Sequence, residues 1–180
     1  MNEVLTRNIL RTERMALRPV RPSDAGLLRL YAGDARLARM TTSIPHPYPP
    51  GAAEAFIAGA LSGKHREMVR VLDATPSDGA ELIGLISARW HADGAVEIGY
   101  WVGPPFWNTG YASEAVLAMV EHLRAAGETR LIASVFQDNP VSARVITKAG
   151  FAYQGEGEAY SVARDGRVAT WTYTLTEAGG

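Results

Sequence analysis

The sequence predicts an α/β (α+β) domain built on one mixed, mostly antiparallel sheet flanked by helices, and three observations carry that expectation. Three extended segments follow one another, Glu67 to Asp73, Glu81 to His91 and Ala95 to Val102, joined by Pro76-Ser77-Asp78-Gly79 and Ala92-Asp93-Gly94, the turn chemistry of a meander. Two helical periodicities then bracket a short apolar run, Leu131 to Phe136, that reads as a buried strand. Lastly, extended segments lie on either side of Arg164-Asp165-Gly166-Arg167, a hairpin signal.

Taken in order, Arg14 to Val20 reads as a short edge strand ending in the Pro19 to Pro22 turn. Ser23 can cap a helix with Leu27, Leu28, Leu30 and Tyr31 on its apolar face, and a second helix begins near Gly51 with Ala55, Phe56, Ala58 and Leu61 inward. Between them Thr41 to Pro50 carries Pro45, Pro47, Pro49 and Pro50, which bar a regular helix and suggest a wall, not a linker. After the meander, Tyr111 to Ala126 is a helix with Val116, Met119, Val120 and Leu123 at helical spacing and Gly127 just beyond it. Asn139 is a natural N-cap with Pro140 at the first helical position, and Val141, Val145, Ile146 and Ala149 form a stripe that ends at Gly150. Phe151 to Tyr160 and Val168 to Thr174 are the arms of the hairpin.

The 180 residues, 47% hydrophobic and 21% charged, suit one ordinary globular domain over 1–180. No apolar run approaches the roughly 20 residues that cross a bilayer, and Met1 to Arg14 is charged without the apolar stretch of a secretory signal. The expectation is a cytoplasmic protein with no membrane partner. Cysteine is absent, which removes disulfides, thiolate nucleophiles and sulfur-dependent zinc sites. His46, His65, His91 and His122 show no ligand spacing with one another or with nearby carboxylates, so no metal is expected. A formal net charge of -1 supplies no field for nucleic acid, and Trp90, Trp101 and Trp107 lack the basic stripe of a base-stacking platform. No coiled-coil pattern assigns an oligomeric state, and a homodimer stays open.

The most informative segment is Phe106-Trp107-Asn108-Thr109-Gly110-Tyr111-Ala112-Ser113-Glu114-Ala115, between a strand and a helix. A loop there, with Gly110 allowing close approach, exposes unpaired N–H groups at a positive helix end and can cradle a pyrophosphate. A plain helix-capping turn is the alternative, and the segment is neither a Walker loop nor a G-x-G-x-x-G turn.

This segment resembles the phosphate loop of the GNAT superfamily, in the RimJ/RimL-like branch, whose pattern is Q/R-x-x-G-x-G/A. Gly110 and Ala112 match, and Trp107 replaces the polar first residue. Asn139-Pro140-Val141-Ser142-Ala143-Arg144-Val145-Ile146-Thr147-Lys148-Ala149-Gly150-Phe151 is similar to the family's N-x-x-S-x-R-v-x-x-K-x-G-F helix, and Val96-Glu97-Ile98-Gly99-Tyr100-Trp101-Val102 to its E-I-G-Y-W strand. Weaker likenesses are Thr12 to Pro19 and the Pro45 to Pro50 loop. The resemblance implies an N-acetyltransferase whose sheet splays in the middle to hold acetyl-CoA. Its pantetheine arm would pair with the Tyr100, Trp101 and Val102 backbone, and its pyrophosphate would lie on Asn108, Thr109, Gly110, Tyr111, Ala112 and Ser113. Asn139 and Ser142 would face the pantetheine and thioester. Lys148 would reach the 3′-phosphate or be a solvated helix lysine, and Arg144 carries the same two readings.

Attack on a thioester needs a neutral amine, and a lysine-type amine has a pKa of about 10.4 against about 7.7 to 8.0 for an α-amine. Glu97 is the candidate base, since it alternates with apolar Val96 and Ile98 and so points to the opposite face; a salt-bridged strand glutamate is the alternative. A backbone N–H around Trp101 or Val102 would stabilise the oxyanion. Ser142 is a candidate to give the departing thiolate a proton or a hydrogen bond. The tyrosine often found four residues before the family's Gly-Phe pair is Ile146 here, which excludes a tyrosine acid at that site, and Tyr111, Tyr153 and Tyr160 read as packing or rim residues. The acceptors implied are a protein N-terminal α-amine of the ribosomal type, or a small amine such as an aminoglycoside, polyamine or amino acid analogue. A non-catalytic acyl-CoA sensor is the reading outside the enzyme class.

Overall fold

The structure, a computed structural model, describes residues 9–63 and 66–176. Eight strands form a single sheet in the order β1-β2-β3-β4-β5-β6-β8-β7. They are β1 (Leu10–Arg11), β2 (Ala16–Arg18), β3 (Glu67–Asp73), β4 (Gly84–Trp90), β5 (Val96–Val102), β6 (Arg130–Phe136), β7 (Ala152–Ser161) and β8 (Gly166–Thr176). All neighbours are antiparallel except β5 and β6, whose parallel pairing stops after Val96↔Leu131 and Glu97↔Ile132. Beyond Glu97 the two strands diverge. The expected splay is therefore present, and it opens at a defined residue.

Helices α1 (Ala25–Ala32) and α3 (Ala52–Leu61) cover one face, where Leu28, Ala53 and Ile57 pack on Val71, Leu82 and Leu85. The short α2 (Ala35–Ala38) lies between them in sequence. Helices α4 (Tyr111–Ala125) and α5 (Pro140–Lys148) cover the other face, where Val116, Met119, Leu123 and Ile146 join Ile86, Val96, Ile98 and Leu131 in the larger core. The alternation along β5 sorts its side chains between these layers, with Val96, Ile98 and Val102 buried in the larger core and Glu97, Gly99 and Trp101 on the opposite face.

Several expectations are corrected. The Arg14 to Val20 segment is not the edge, because β1 pairs outside β2. Ser23 does not cap a long helix; Pro22–Asp24 is a 3-10 turn in which the Asp24 carboxylate accepts the Arg21 N–H at 2.7 Å. That carboxylate also binds Arg18, which spans Asp24 and Asp73 (2.7–3.0 Å) while fully buried, so removing one partner costs about 3–5 kcal/mol. Leu30 is 64% exposed. In α3 the inward residues are Ala53 and Ile57, not Ala55, Phe56, Ala58 and Leu61, because this nearly uniformly apolar helix has no polar face from which to read its orientation. In α5 the buried pair is Ala143 and Ile146, and Val141 is exposed. The remaining strands and α4 fall within a few residues of the expected bounds.

Candidate active site

The splay opens into a cleft of about 1300 Å³ that runs between the two halves of the sheet. Strand β5 from Glu97 to Val102, the loop and helix start from Asn108 to Ser113, and Asn139, Ser142, Arg144 and Lys148 of α5 all line it.

The direction of the β5 backbone follows from two hydrogen bonds. Gly103 N–H donates to Ile83 O at 2.8 Å and His91 N–H to Ala95 O at 2.9 Å, so odd-numbered amides of β5 turn toward β4. On the even-numbered side the Ile98 N–H still reaches Ile132 O at the last parallel pair, so the groups presented to the opening are the Ile98 C=O, the Tyr100 N–H and C=O and the Val102 N–H. Trp101 is thereby corrected: its amide pairs with Leu85 of β4, and its ring packs with Leu82 and Leu85 on the α1/α3 face. On the opposite wall Gln137 N–H bonds Ala169 O at 3.1 Å, which leaves the even-numbered Ser134 and Phe136 amides facing the gap. The Val102 carbonyl accepts the Trp107 indole N–H at 2.6 Å, which ties the loop to the strand end.

The loop after β5 turns through Asn108 at φ 59 and Gly110 at φ 86, both left-handed. Gly110 is the N-cap of α4 and offers no side chain, so the first-turn N–H groups of Tyr111, Ala112 and Ser113 have no intrahelical acceptor and no side-chain cap from that position. A Cβ on Gly110 would lie 3.3 Å from Arg14 Nη2. Arg14 fixes this loop: Nη1 donates to Thr109 O at 2.9 Å, Nε to Glu114 Oε2 at 2.8 Å, and the guanidinium stacks 4.2 Å from the Tyr111 centroid. Burial would raise the Glu114 pKa, but hydrogen bonds from Thr12, the Arg14 amide and the Arg14 guanidinium outweigh it and hold the carboxyl below its usual range. The acid nearest the cradle is thus neutralised by Arg14, leaving a bare helix N-terminus beside a cation. These groups fit a pyrophosphate.

At α5 the Asn139 side chain accepts the Ser142 N–H at 3.3 Å, as an N-cap. Tyr100 reaches across the splay, with its Oη 2.6 Å from Ser142 Oγ and donating to Ser142 O at 3.2 Å. Burial pushes the Tyr100 phenol up to about 12, against a smaller lowering by Ser142, so it stays protonated at neutral pH. With its one proton on the Ser142 carbonyl the phenol oxygen accepts from Ser142 Oγ–H; with that proton turned to Ser142 Oγ instead, the serine proton is free for the cleft.

Glu97 is the last β5 residue paired with β6, and its half-exposed side chain stands in the cleft on the α1/α3 face. It hydrogen-bonds His91 Nε2 at 3.0 Å. The histidine spacing along the chain hides this pair; His65 lies outside the described residues. No group of side chains able to hold a metal ion occurs among the described residues, and no helix there is long and apolar enough to cross a membrane.

A strap crosses one end of the cleft. Val162 N–H donates to Thr42 O at 3.0 Å, Arg164 Nε to Arg39 O at 2.9 Å, and Arg164 Nη1 to Asp138 at 2.7 Å, joining the segment after α2 to the β7–β8 hairpin. Met40 to Ser43 line the cleft, while Pro45 to Pro50 do not, so the expected wall is the stretch just before the prolines.

The acetyltransferase (GNAT) domain family matches residues 14–152. The chain belongs to the GNAT acetyltransferase family. The uncharacterized N-acetyltransferase YoaA of Bacillus subtilis is 40% identical over 83 residues, 43% of this chain and 46% of that protein. The ribosomal-protein-serine acetyltransferase of Escherichia coli is 35% identical over 78 residues, 42% of this chain and 44% of that protein. The aligned part of this GNAT chain thus spans about half the length of each of these two relatives. The structure of RimL, a ribosomal L7/L12 α-N-protein acetyltransferase in complex with coenzyme A, superposes with a TM-score of 0.81 at 17% identity, covering 94% of this chain and 98% of that one. The last likeness establishes the fold.

Proposed function

We propose that this GNAT chain is an acetyl-CoA-dependent N-acetyltransferase in which Glu97 is the general base and Ser142 the proton donor. The observation that carries the reading is the position of Glu97 at the apex of the splay, where the two strands part and β5 begins to offer free backbone groups. Ile98, Tyr100 and Val102 hold the pantetheine arm through their backbone, Asn108 to Ser113 hold the pyrophosphate through theirs, and Asn139 fixes the start of α5 beside the thioester. Lys148 supplies positive charge for the 3′-phosphate. Acetyl-CoA supplies the activated acyl group. Glu97 takes a proton from the acceptor ammonium, and the freed amine forms the new C–N bond. A β5 N–H on the gap side stabilises the oxyanion, and as the C–S bond breaks the thiolate leaves with a proton relayed by Ser142 from the second N–H. Tyr100 keeps the Ser142 hydroxyl oriented for that donation.

For the acceptor, a protein N-terminal α-amine of the ribosomal type is the first reading, supported by the similarity to the ribosomal-protein-serine acetyltransferase. The test measures coenzyme A release with N-terminal peptides beginning in serine or alanine and with free polyamines and aminoglycosides. Turnover confined to peptides is expected. Turnover confined to free amines would move the acceptor to the small-molecule class, and acetyl-CoA binding without release for any amine would make the chain a sensor.

A further inference from the structure

His91 and Glu97 occupy diagonal positions on one face of the β4–β5 ladder: His91 pairs with Ala95, and Glu97 two residues on pairs with Arg89. The His91 backbone is held at the mouth of the turn, donating to Ala95 O at 2.9 Å and accepting Gly94 N–H at 3.2 Å. Its imidazole is 40% exposed, so one ring nitrogen meets Glu97 while the ring edge reaches solvent. Arg89, directly across from Glu97, turns the other way to Glu67 at 3.2 Å on β3. Asp93, in the turn, pairs with Arg130 at the start of β6. The cations nearest Glu97 are therefore engaged elsewhere, and its carboxylate is joined to the imidazole.

We propose that His91 is the positioning and proton-relay residue for Glu97, an inference that rests on Glu97 being the base. The imidazole Nε2 holds the carboxylate at the apex of the splay, facing the acceptor amine. The ring holds the carboxylate as the Nε2–H tautomer. Once the carboxylate has taken one proton from the ammonium, exchange of the ring with water to the Nδ1–H tautomer bares Nε2. The proton then passes from Oε2 to Nε2 and Nδ1 releases one to water, which restores the Nε2–H. The carboxylate is restored, one proton has entered solvent, and the second proton lost by the nitrogen ends on the coenzyme sulfur through Ser142. The charges balance, and no further reactant is needed.

The exposed third of the Glu97 side chain opens into the cleft that the acceptor must enter, so a second exit for its proton keeps the two apart. His91 provides that exit on the side of the sheet end, away from both the phosphate loop and the strap. This placement separates proton traffic from the route of the acceptor.

The experiment compares His91→Ala, His91→Gln, Glu97→Gln and the double variant His91→Ala/Glu97→Gln in the full chain, measured as initial rates of coenzyme A release. His91→Ala is expected to lower kcat about tenfold with the KM for acetyl-CoA unchanged within about twofold, the loss being recovered by added imidazole. His91→Gln, which keeps a donor but cannot relay, is expected to stay slow. The double variant is expected to be no slower than Glu97→Gln alone, since both act through one proton path. His91→Ala at the wild-type rate beside a slow Glu97→Gln would overturn the relay and leave the base in place. Both variants at the wild-type rate would overturn the base itself. Full recovery by His91→Gln would overturn the relay, and a further loss in the double variant would place His91 outside the Glu97 path.

Discussion

On the α4 side of the cleft the ligand-facing groups are backbone amides, and the side chains that matter, Arg14 and Glu114, sit behind them. On the α1/α3 side the cleft is lined by side chains, Glu97 among them, and the odd-numbered β5 amides behind them pair into the meander. The first arrangement suits a feature common to many ligands, a pyrophosphate, with groups that side-chain substitution cannot remove. In the function proposed above, the second carries the chemistry and the choice of acceptor in groups that a single substitution deletes. A cosubstrate site of this kind is vulnerable to changes in backbone shape, and an acceptor site to changes in charge.

The sharpest break is expected at Gly110→Val. The residue sits at φ 86 and a Cβ there meets Arg14 at 3.3 Å, so a branched side chain strains the turn and displaces the clamp. Acetyl-CoA binding should be lost while circular dichroism shows a folded protein. An affinity within a factor of two of wild type would place the phosphates elsewhere.

Glu97→Gln should leave that affinity intact and lower the transfer rate by about a hundredfold. The deficit should shrink as pH rises toward the acceptor's own pKa, about 7.7–8.0 for an α-amine and about 10.4 for a lysine-like amine. A defect that does not change with pH would make Glu97 a positioning group instead of a base.

Arg14→Ala tests whether the clamp acts on the cosubstrate side alone. The KM for acetyl-CoA should rise about tenfold, the scale of one charge-assisted contact, with kcat within about twofold. An equal fall in kcat would mean that the two sides of the cleft are coupled.

The smallest effect is expected with pH. The Glu114 carboxyl is held below its usual value in the folded chain, so its contribution is fully present above the ordinary carboxylate pKa, 4.5, and is lost as pH falls through the depressed value. Acetyl-CoA affinity, followed by titration calorimetry from pH 7 downward, should weaken below that range, and Glu114→Gln should flatten the acid limb. An unchanged limb in the variant would assign the weakening to the ligand's own phosphates.

The turn at Gly110, the cap at Asn139 and strand β5 were legible in the sequence because a glycine at a helix start, a polar N-cap and a strand of alternating character are local patterns. Alternation along β5 likewise put Glu97 opposite Val96 and Ile98, as the structure does. What the sequence hid depends on register and long-range approach. His91 meets Glu97 only because the turn places His91 opposite Ala95. The Tyr100 phenol, read for its backbone, reaches Ser142 through the packing of α5 on the sheet. Phe56 and Val141 were expected on the inward apolar faces of their helices and instead are exposed and line the cleft. The apolar pattern could not separate the Trp101 amide from those of its neighbours, since which edge an amide faces is set by the partner strand.

The contact between Arg14 and Glu114 joins residues 100 positions apart. A segment that begins after β2 would keep the whole Gly110 motif and lack the clamp that shapes it. Closing so long a loop is a late event in folding, since its entropic cost is recovered only once the intervening strands are paired. In a chain emerging from the ribosome, the anion cradle can be finished only after β1 to β5 have formed and α4 has docked. A ligand held by this cradle together with the later α5 would favour the finished fold over every partly assembled one.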